Sequence, residues 1–181
     1  LWSRQGKDLT DRFPDIAAAV LTQVSAGTVL DGELVIWNKN RLDFDLLQRR
    51  LVNRPARVVR LAAEHPATFM VFDVLAVERR DVRGSPLLVR RGLLEQLGAS
   101  WRPPLQISPV TQDETIARAW MADYRPAGIE GLMVKAASGV YAPGRRDWVK
   151  VKSRETVEVI VGAVTGPIQR PDSVVVGRLR E

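Results

Sequence analysis

Residues 130–152 read EGLMVKAASGVYAPGRRDWVKVK, and how this stretch divides into strand and turn decides the fold. The run from Gly128 to Ala136 is short, apolar and bounded by turn residues, which predicts a strand. Gly139, Pro143 and Gly144 supply the break after it. Trp148 to Lys152 is a second strand, whose period of two puts Lys150 and Lys152 on one face and Val149 and Val151 on the other. Two lysines on one strand face make a cationic surface that suits a phosphate, and Glu130 on the preceding strand offers a carboxylate to a divalent metal beside it. The same polarity also fits a solvated sheet edge, where lysines discourage pairing with another strand. Spacing alone leaves both readings open.

Composition narrows the rest. The chain has 181 residues, 45% hydrophobic and 27% charged, ordinary values for a globular protein with one sizeable core and room for the start of a second domain. It has no cysteine, which excludes disulfides, thiolate metal sites and a cysteine nucleophile. Its one histidine, His65, lies between Glu64 and Pro66, so neither a histidine metal cluster nor a Ser-His-Asp triad has the material it needs. No apolar run is long enough to cross a membrane, and no membrane partner is expected. The net charge of +6 and the pI of about 10.3 favour a polyanionic partner, nucleic acid above all. The arginine pairs Arg49-Arg50, Arg79-Arg80 and Arg90-Arg91 are spread along the chain and are expected on solvated faces. Arg145-Arg146 lies in the turn of the opening stretch and is expected to make a contact.

Taken in order, Leu1-Trp2 reads as the end of a strand and Ser3 to Gly6 as a turn. Thr10 or Asp11 is expected to cap a helix over Pro14 to Val24, which Gly27 ends. Val29 to Trp37 is a strand interrupted by Asp31-Gly32-Glu33. An Asp-Gly hairpin turn explains that interruption; so does an inward Glu33 that needs a partner such as a metal or a ribose hydroxyl. Phe44 to Val52 is a short helix with arginines near its end, and Ala56 to Glu64 continues helical. Ala67 to Val77 is a buried central strand carrying Asp73, and residue type alone places Phe72 in the core. Pro86 to Leu97 is an amphipathic helix and Leu105 to Val110 a strand. Thr111 or Asp113 caps a helix that runs to Tyr124. After Lys152 the pattern turns all-β, with strands over Thr156 to Thr165 and Val174 to Leu179 and a boundary near Ser153.

These pieces together resemble the covalent nucleotidyltransferases, and among them the ATP-dependent DNA ligases. The resemblance rests on an ordered set: Ser3-Arg4-Gln5-Gly6, Asp31-Gly32-Glu33, Phe72-Asp73-Val74-Leu75, Glu130 to Lys135 and Trp148 to Lys152. It covers essentially the whole chain. It implies an α+β fold: an ATP-grasp-like nucleotidyltransferase (adenylation) domain of antiparallel sheets with flanking helices over 1–153, followed by the beginning of an OB-fold over 154–181. It implies ATP as AMP donor, Mg2+ or Mn2+ as cofactor, and nicked duplex DNA as partner. In such enzymes a lysine takes AMP from ATP, the AMP passes to a DNA 5′-phosphate, and the nick 3′-hydroxyl displaces it.

Carried onto these residues, Arg4 would hold the ribose or an adjacent phosphate, Glu33 would meet the ribose or metal, and Phe72 would stack on adenine. Glu130 would position the metal, and Lys150 and Lys152 would act at the α-phosphate as the catalytic cations. Lys135 would also touch nucleotide, although on a regular strand it faces away from Glu130. The family's nucleophile motif Lys-x-Asp-Gly does not occur: Val29 stands where Asp31-Gly32 would need the lysine. The expectation is a ligase fragment, inactive alone. An RNA ligase, a GTP-using capping enzyme and a non-catalytic DNA-binding module are the alternatives. Arg- and Ala-rich usage points to a high-GC bacterial source. The expectation is a monomer, cytoplasmic and nucleoid-associated.

Overall fold

The computed structural model describes residues 1–145, 147–152 and 158–178. Its chain order opens with a 3-10 turn at Thr10–Arg12, then α1 (Pro14–Gln23), β1 (Val29–Asn38), β2 (Arg41–Leu42), α2 (Phe44–Val52) and α3 (Pro55–Glu64). There follow β3 (Ala67–Val77), β4 (Arg80–Asp81), α4 (Leu87–Gly98), β5 (Leu105–Ile107) and α5 (Glu114–Asp123). The last strands are β6 (Gly131–Val134), β7 (Val149–Lys152), β8 (Ile160–Thr165) and β9 (Ser173–Gly177).

The main sheet runs β2-β1-β3-β4, with β5 also on β3. Its pairs are antiparallel except β3 with β5, where Phe69 to Val71 run parallel to Leu105 to Ile107. Separate two-stranded sheets are formed by β6 with β7 and by β8 with β9. Mixed helices and sheets are the α+β class that the sequence implied. The expected domain boundary near Ser153 lies outside the described residues, as do Thr156, Val157 and Leu179 from the expected late strands.

Side-chain alternation on β1 and β3 sets the layers. Ile36 and Ala67 pair across the strands and are buried with Phe13, Ile16 and Ala19 at the start of α1 and with Leu46 of α2. Val71 and Val74 are buried against Leu94 of α4. Helices thus cover one face of the sheet. Glu33 and its partner Met70 fall on the other face. At Phe72 a register shift interrupts the alternation, so Val74, of the same parity as Met70, returns to the core.

Several local expectations are corrected. Asp31-Gly32 is not a hairpin turn: β1 runs through it, with a register shift between the two residues. Glycine is required there because a Cβ would lie 2.5 Å from the Phe69 ring and 2.7 Å from the Met70 carbonyl oxygen. Thr10 and Asp11 do not cap α1. They form the 3-10 turn before it, and Pro14 opens α1 behind Phe13. Asp113 does cap α5, accepting from the amides of Thr115 and Ile116.

The largest correction concerns the arginine pairs. Arg49, Arg79 and Arg80 are exposed as expected, but Arg50 and Arg90 are fully buried. Arg50 donates to both carboxylate oxygens of Asp15, at 2.7 and 3.0 Å, and to the His65 carbonyl. Arg90 donates to Asp73 at 2.8 and 2.9 Å, and both side chains are at most 1% exposed. Arg91 is half-covered, bonded to Glu95 and to the Ser108 carbonyl.

Removing one partner of such a pair leaves a buried charge unmatched. Arg90→Met should cost about 3–5 kcal/mol in urea unfolding. Arg60→Ala, which breaks only the exposed Arg60–Glu64 pair, should leave the urea midpoint nearly unchanged.

Candidate active site

The β6–β7 hairpin carries the first group of side chains. Gly131 pairs with Lys152 and Met133 with Lys150. A Cβ at Gly131 would sit 2.0 Å from the Val151 carbonyl oxygen, so only glycine lets the strands close at this point. The Nζ atoms of Lys150 and Lys152 lie 3.7 and 3.3 Å from Glu130 Oε2, and all three side chains are about half exposed or more. The predicted common face of the two lysines is therefore present, and a carboxylate joins it. Glu130 stands just before β6, outside the strand's alternation. The hydrogen bond and charge of Lys152, then the charge of Lys150, hold its pKa below the ordinary carboxylate value.

A second group forms where the hairpin meets β3. Phe72 is not in the core, as its residue type suggested, but half-buried on the open sheet face. Its ring meets Trp148 edge to face, with centroids 5.9 Å apart and planes at 87°. Tyr141 meets Trp148 in the same way at 5.7 Å. Lys135 sits just past β6 with Nζ 3.6 Å from the Trp148 ring centroid and 4.3 Å from that of Phe72. As expected from spacing, Lys135 does not join Glu130. It joins Phe72.

Electrostatics bind this second group to the sheet. Burial pushes the Lys135 pKa below its ordinary value, while the charges of Asp73 and Asp31 pull the other way. The ring faces return part of that desolvation cost through cation–π attraction. The Tyr141 hydroxyl donates to Asp31 Oδ2 at 2.8 Å. Burial first, then this hydrogen bond, pushes its pKa up to about 12.

The remaining predicted residues stand apart. Glu33 is exposed on β1, and among the described residues no ion pair reaches it. Arg4 is exposed in the Ser3–Gly6 turn, near enough for its charge to act on Tyr141. Arg145 pairs with its neighbour Asp147 at 3.1 Å, and Arg146 lies outside the described residues. Sequence reasoning missed Asp31, Tyr141 and Trp148 as parts of this surface. The available signal was Trp148 itself, which shares the strand parity of Lys150 and Lys152.

Two environments thus lie on one hairpin: a carboxylate with two lysines, and a cation held between two aromatic rings. The first offers charge to an anion such as phosphate. The second offers flat apolar surface of the kind a purine base stacks on. The lysine titration can be checked by 13C NMR of the Lys135 side chain. Its midpoint should lie below that of an ordinary lysine, and Trp148→Ala should raise it by opening the site to water. Between the folded and unfolded pKa values of Lys135 the unfolded chain binds more protons, so this residue makes stability rise with pH across that alkaline window.

Comparison with known proteins gives a consistent result. A family model described as ATP dependent DNA ligase domain matches residues 1–152. DNA ligase C2 of Mycolicibacterium smegmatis is 37% identical over 161 residues, spanning 89% of this chain and 46% of that protein. DNA ligase C of Mycobacterium tuberculosis is 33% identical over 165 residues, again 89% and 46%. A solved structure of mycobacterial DNA ligase D, complexed with ATP and MES, superposes with a TM-score of 0.66 at 28% identity, covering 97% of this chain and 54% of that one. The chain spans about half the length of the curated relatives it matches.

Proposed function

The chain belongs to the family of ATP-dependent DNA ligase domains, and from that membership we propose that it forms the nucleotide-handling part of an enzyme that seals nicks in duplex DNA. The observation that carries this reading is the joining of Glu130 to both Lys150 and Lys152 on a hairpin whose next residues clasp Phe72.

In this reading Phe72 stacks on the adenine, with Lys135 and Trp148 beside it. Lys150 and Lys152 meet the α-phosphate and hold the negative charge that grows on its oxygens as a nucleophile adds and pyrophosphate leaves. Arg4 serves the ribose or a neighbouring phosphate, and Glu33 the ribose. The exposed ion pairs at Glu130 suit this use, because such pairs are worth little in water and yield readily to a more highly charged phosphate.

Glu130, and separately Glu33 on β1, are exposed carboxylates of the kind a hard cation such as Mg2+ or Mn2+ takes one at a time. Among the described residues no group of three or more His, Cys, Asp or Glu side chains is gathered. Such an ion would take its other ligands from phosphate oxygens and water, and when bound it would neutralise phosphate charge. The donor DNA is the polyanion that the basic composition calls for, and the working unit is a monomer.

These 181 residues contain no Lys-x-Asp-Gly, so the adenylated lysine of the family has no counterpart among them. Incubation with Mg2+ and α-phosphate-labelled ATP should label a version of the protein extended upstream in its own reading frame, and should leave the 181-residue chain unlabelled. GTP should label neither. Label on the short chain, or from GTP alone, would overturn the reading. In the extended protein, Lys150→Ala and Lys152→Ala should each slow adenylate formation by about a hundredfold or more.

A further inference from the structure

Asp31, in strand β1 of the main sheet, and Tyr141, in the connection of the β6–β7 hairpin, lie 110 residues apart in sequence, yet one hydrogen bond joins them. Asp31 is at the register shift of β1, paired with Asp73 of β3. Tyr141 is in the β6–β7 connection, and its ring packs edge to face on Trp148, which packs in turn on Phe72. The ring also lies over the Arg90 guanidinium at 5.8 Å. The Tyr141 side chain thus meets Asp31 of the sheet, the buried Arg90 of α4 and Trp148 of the aromatic wall.

We propose that Asp31 and Tyr141 are a positioning pair: their hydrogen bond sets the pose of Trp148 and so preorganises the face of Phe72 for the adenine base. This inference rests on the reading of Phe72 as the base-stacking residue and extends it to groups that touch no nucleotide themselves.

The backbone of the connection has its own anchors, which separates positioning from folding. The Tyr141 amide donates to the Arg83 carbonyl at 2.8 Å, and the Leu88 amide to the Ala137 carbonyl at 3.1 Å. Arg90 donates to the Gly139 carbonyl at 3.2 Å. Loss of the hydroxyl leaves all of these in place. What it removes is the restraint on the ring, and with it the fixed edge against which Trp148 rests. A wall that must be ordered at the moment of binding costs affinity. The hydroxyl is a neutral donor near neutral pH, as any phenol is, and burial with the Asp31 bond pushes its pKa further up, to about 12.

The test is a double-mutant cycle in the full-length protein, with ATP affinity by calorimetry and KM and kcat for adenylate formation. Tyr141→Phe and Asp31→Ala, each of which deletes one partner of the bond, should each weaken ATP binding about tenfold, raise KM and leave kcat nearly unchanged, with little change in Tm. The double variant should be no worse than either single one, since both remove the same bond. Phe72→Ala is the reference and should weaken ATP binding by at least as much. Additive losses in the double variant, or a lowered Tm with unchanged affinity, would overturn the positioning role while leaving the Phe72 reading intact. Unchanged affinity in Phe72→Ala, or no ATP binding by the unsubstituted protein, would overturn that reading and the positioning role with it.

Discussion

The buried pair of Asp73 and Arg90 is the constraint on which the rest of the structure depends. Two charges removed from water are tolerated only when every lone pair and proton finds a partner. Here Arg90 donates to both Asp73 oxygens and to the carbonyls of Ser85 and Gly139. One guanidinium therefore fixes the central strand β3, the entry to α4 and the connection between β6 and β7. Its directional bonds admit a single relative placement of these elements, which hydrophobic contact alone does not impose. The pair also decides which way β3 faces. With Asp73 turned to α4, the register shift at Phe72 leaves that ring half-buried against Trp148.

Arg50 plays a related part at the other end, with its Nε–H left without a partner. It ties α2 to Asp15 at the start of α1 and to the turn before β3, while Asp15 also accepts from the Ala67 amide. Its guanidinium lies 5.3 Å from the Phe13 ring. Both buried arginines come from sequence pairs whose other member is wholly or partly in solvent. A dipeptide of like charges says nothing about helix phase, and a helix turns about 100° between neighbours. The acid that neutralises each arginine is 35 residues away for Arg50 and 17 for Arg90, so the pairing was not legible in local sequence.

What was legible followed from short-range regularity. The period of two gave Lys150 and Lys152 a common face, apolar runs gave β1 and β3, and the cap of α5 followed from Asp113. The ordered motifs gave the family. Illegible were the places where backbone geometry departs from the rule. Glu130 reaches the lysine face because it precedes the strand. Gly32 sits in a bulge, where close approach of Phe69 and Met70, and not a turn, demands glycine. Tyr141 and Trp148 fell outside the list of site residues because their value comes from each other and from Phe72, contacts that only the closed hairpin creates.

The two halves of the hairpin are held by interactions of different kinds, and the difference suits adenylyl transfer. Exposed ion pairs join Glu130 to its lysines. High dielectric makes such pairs weak, so in the proposed reaction the lysines would exchange partners as phosphate arrives and departs. The aromatic wall is half-buried and tied through Tyr141 and Gly139 to charges that water does not reach. Movement of the backbone there would break the bond from Arg90 to the Gly139 carbonyl and let water toward the buried Arg90–Asp73 pair. In the proposed reaction the base must stay in place while AMP changes hands, whereas the charge around the phosphate must follow the chemistry. A rigid wall beside a loosely held carboxylate–lysine cluster meets both demands on one short stretch of chain.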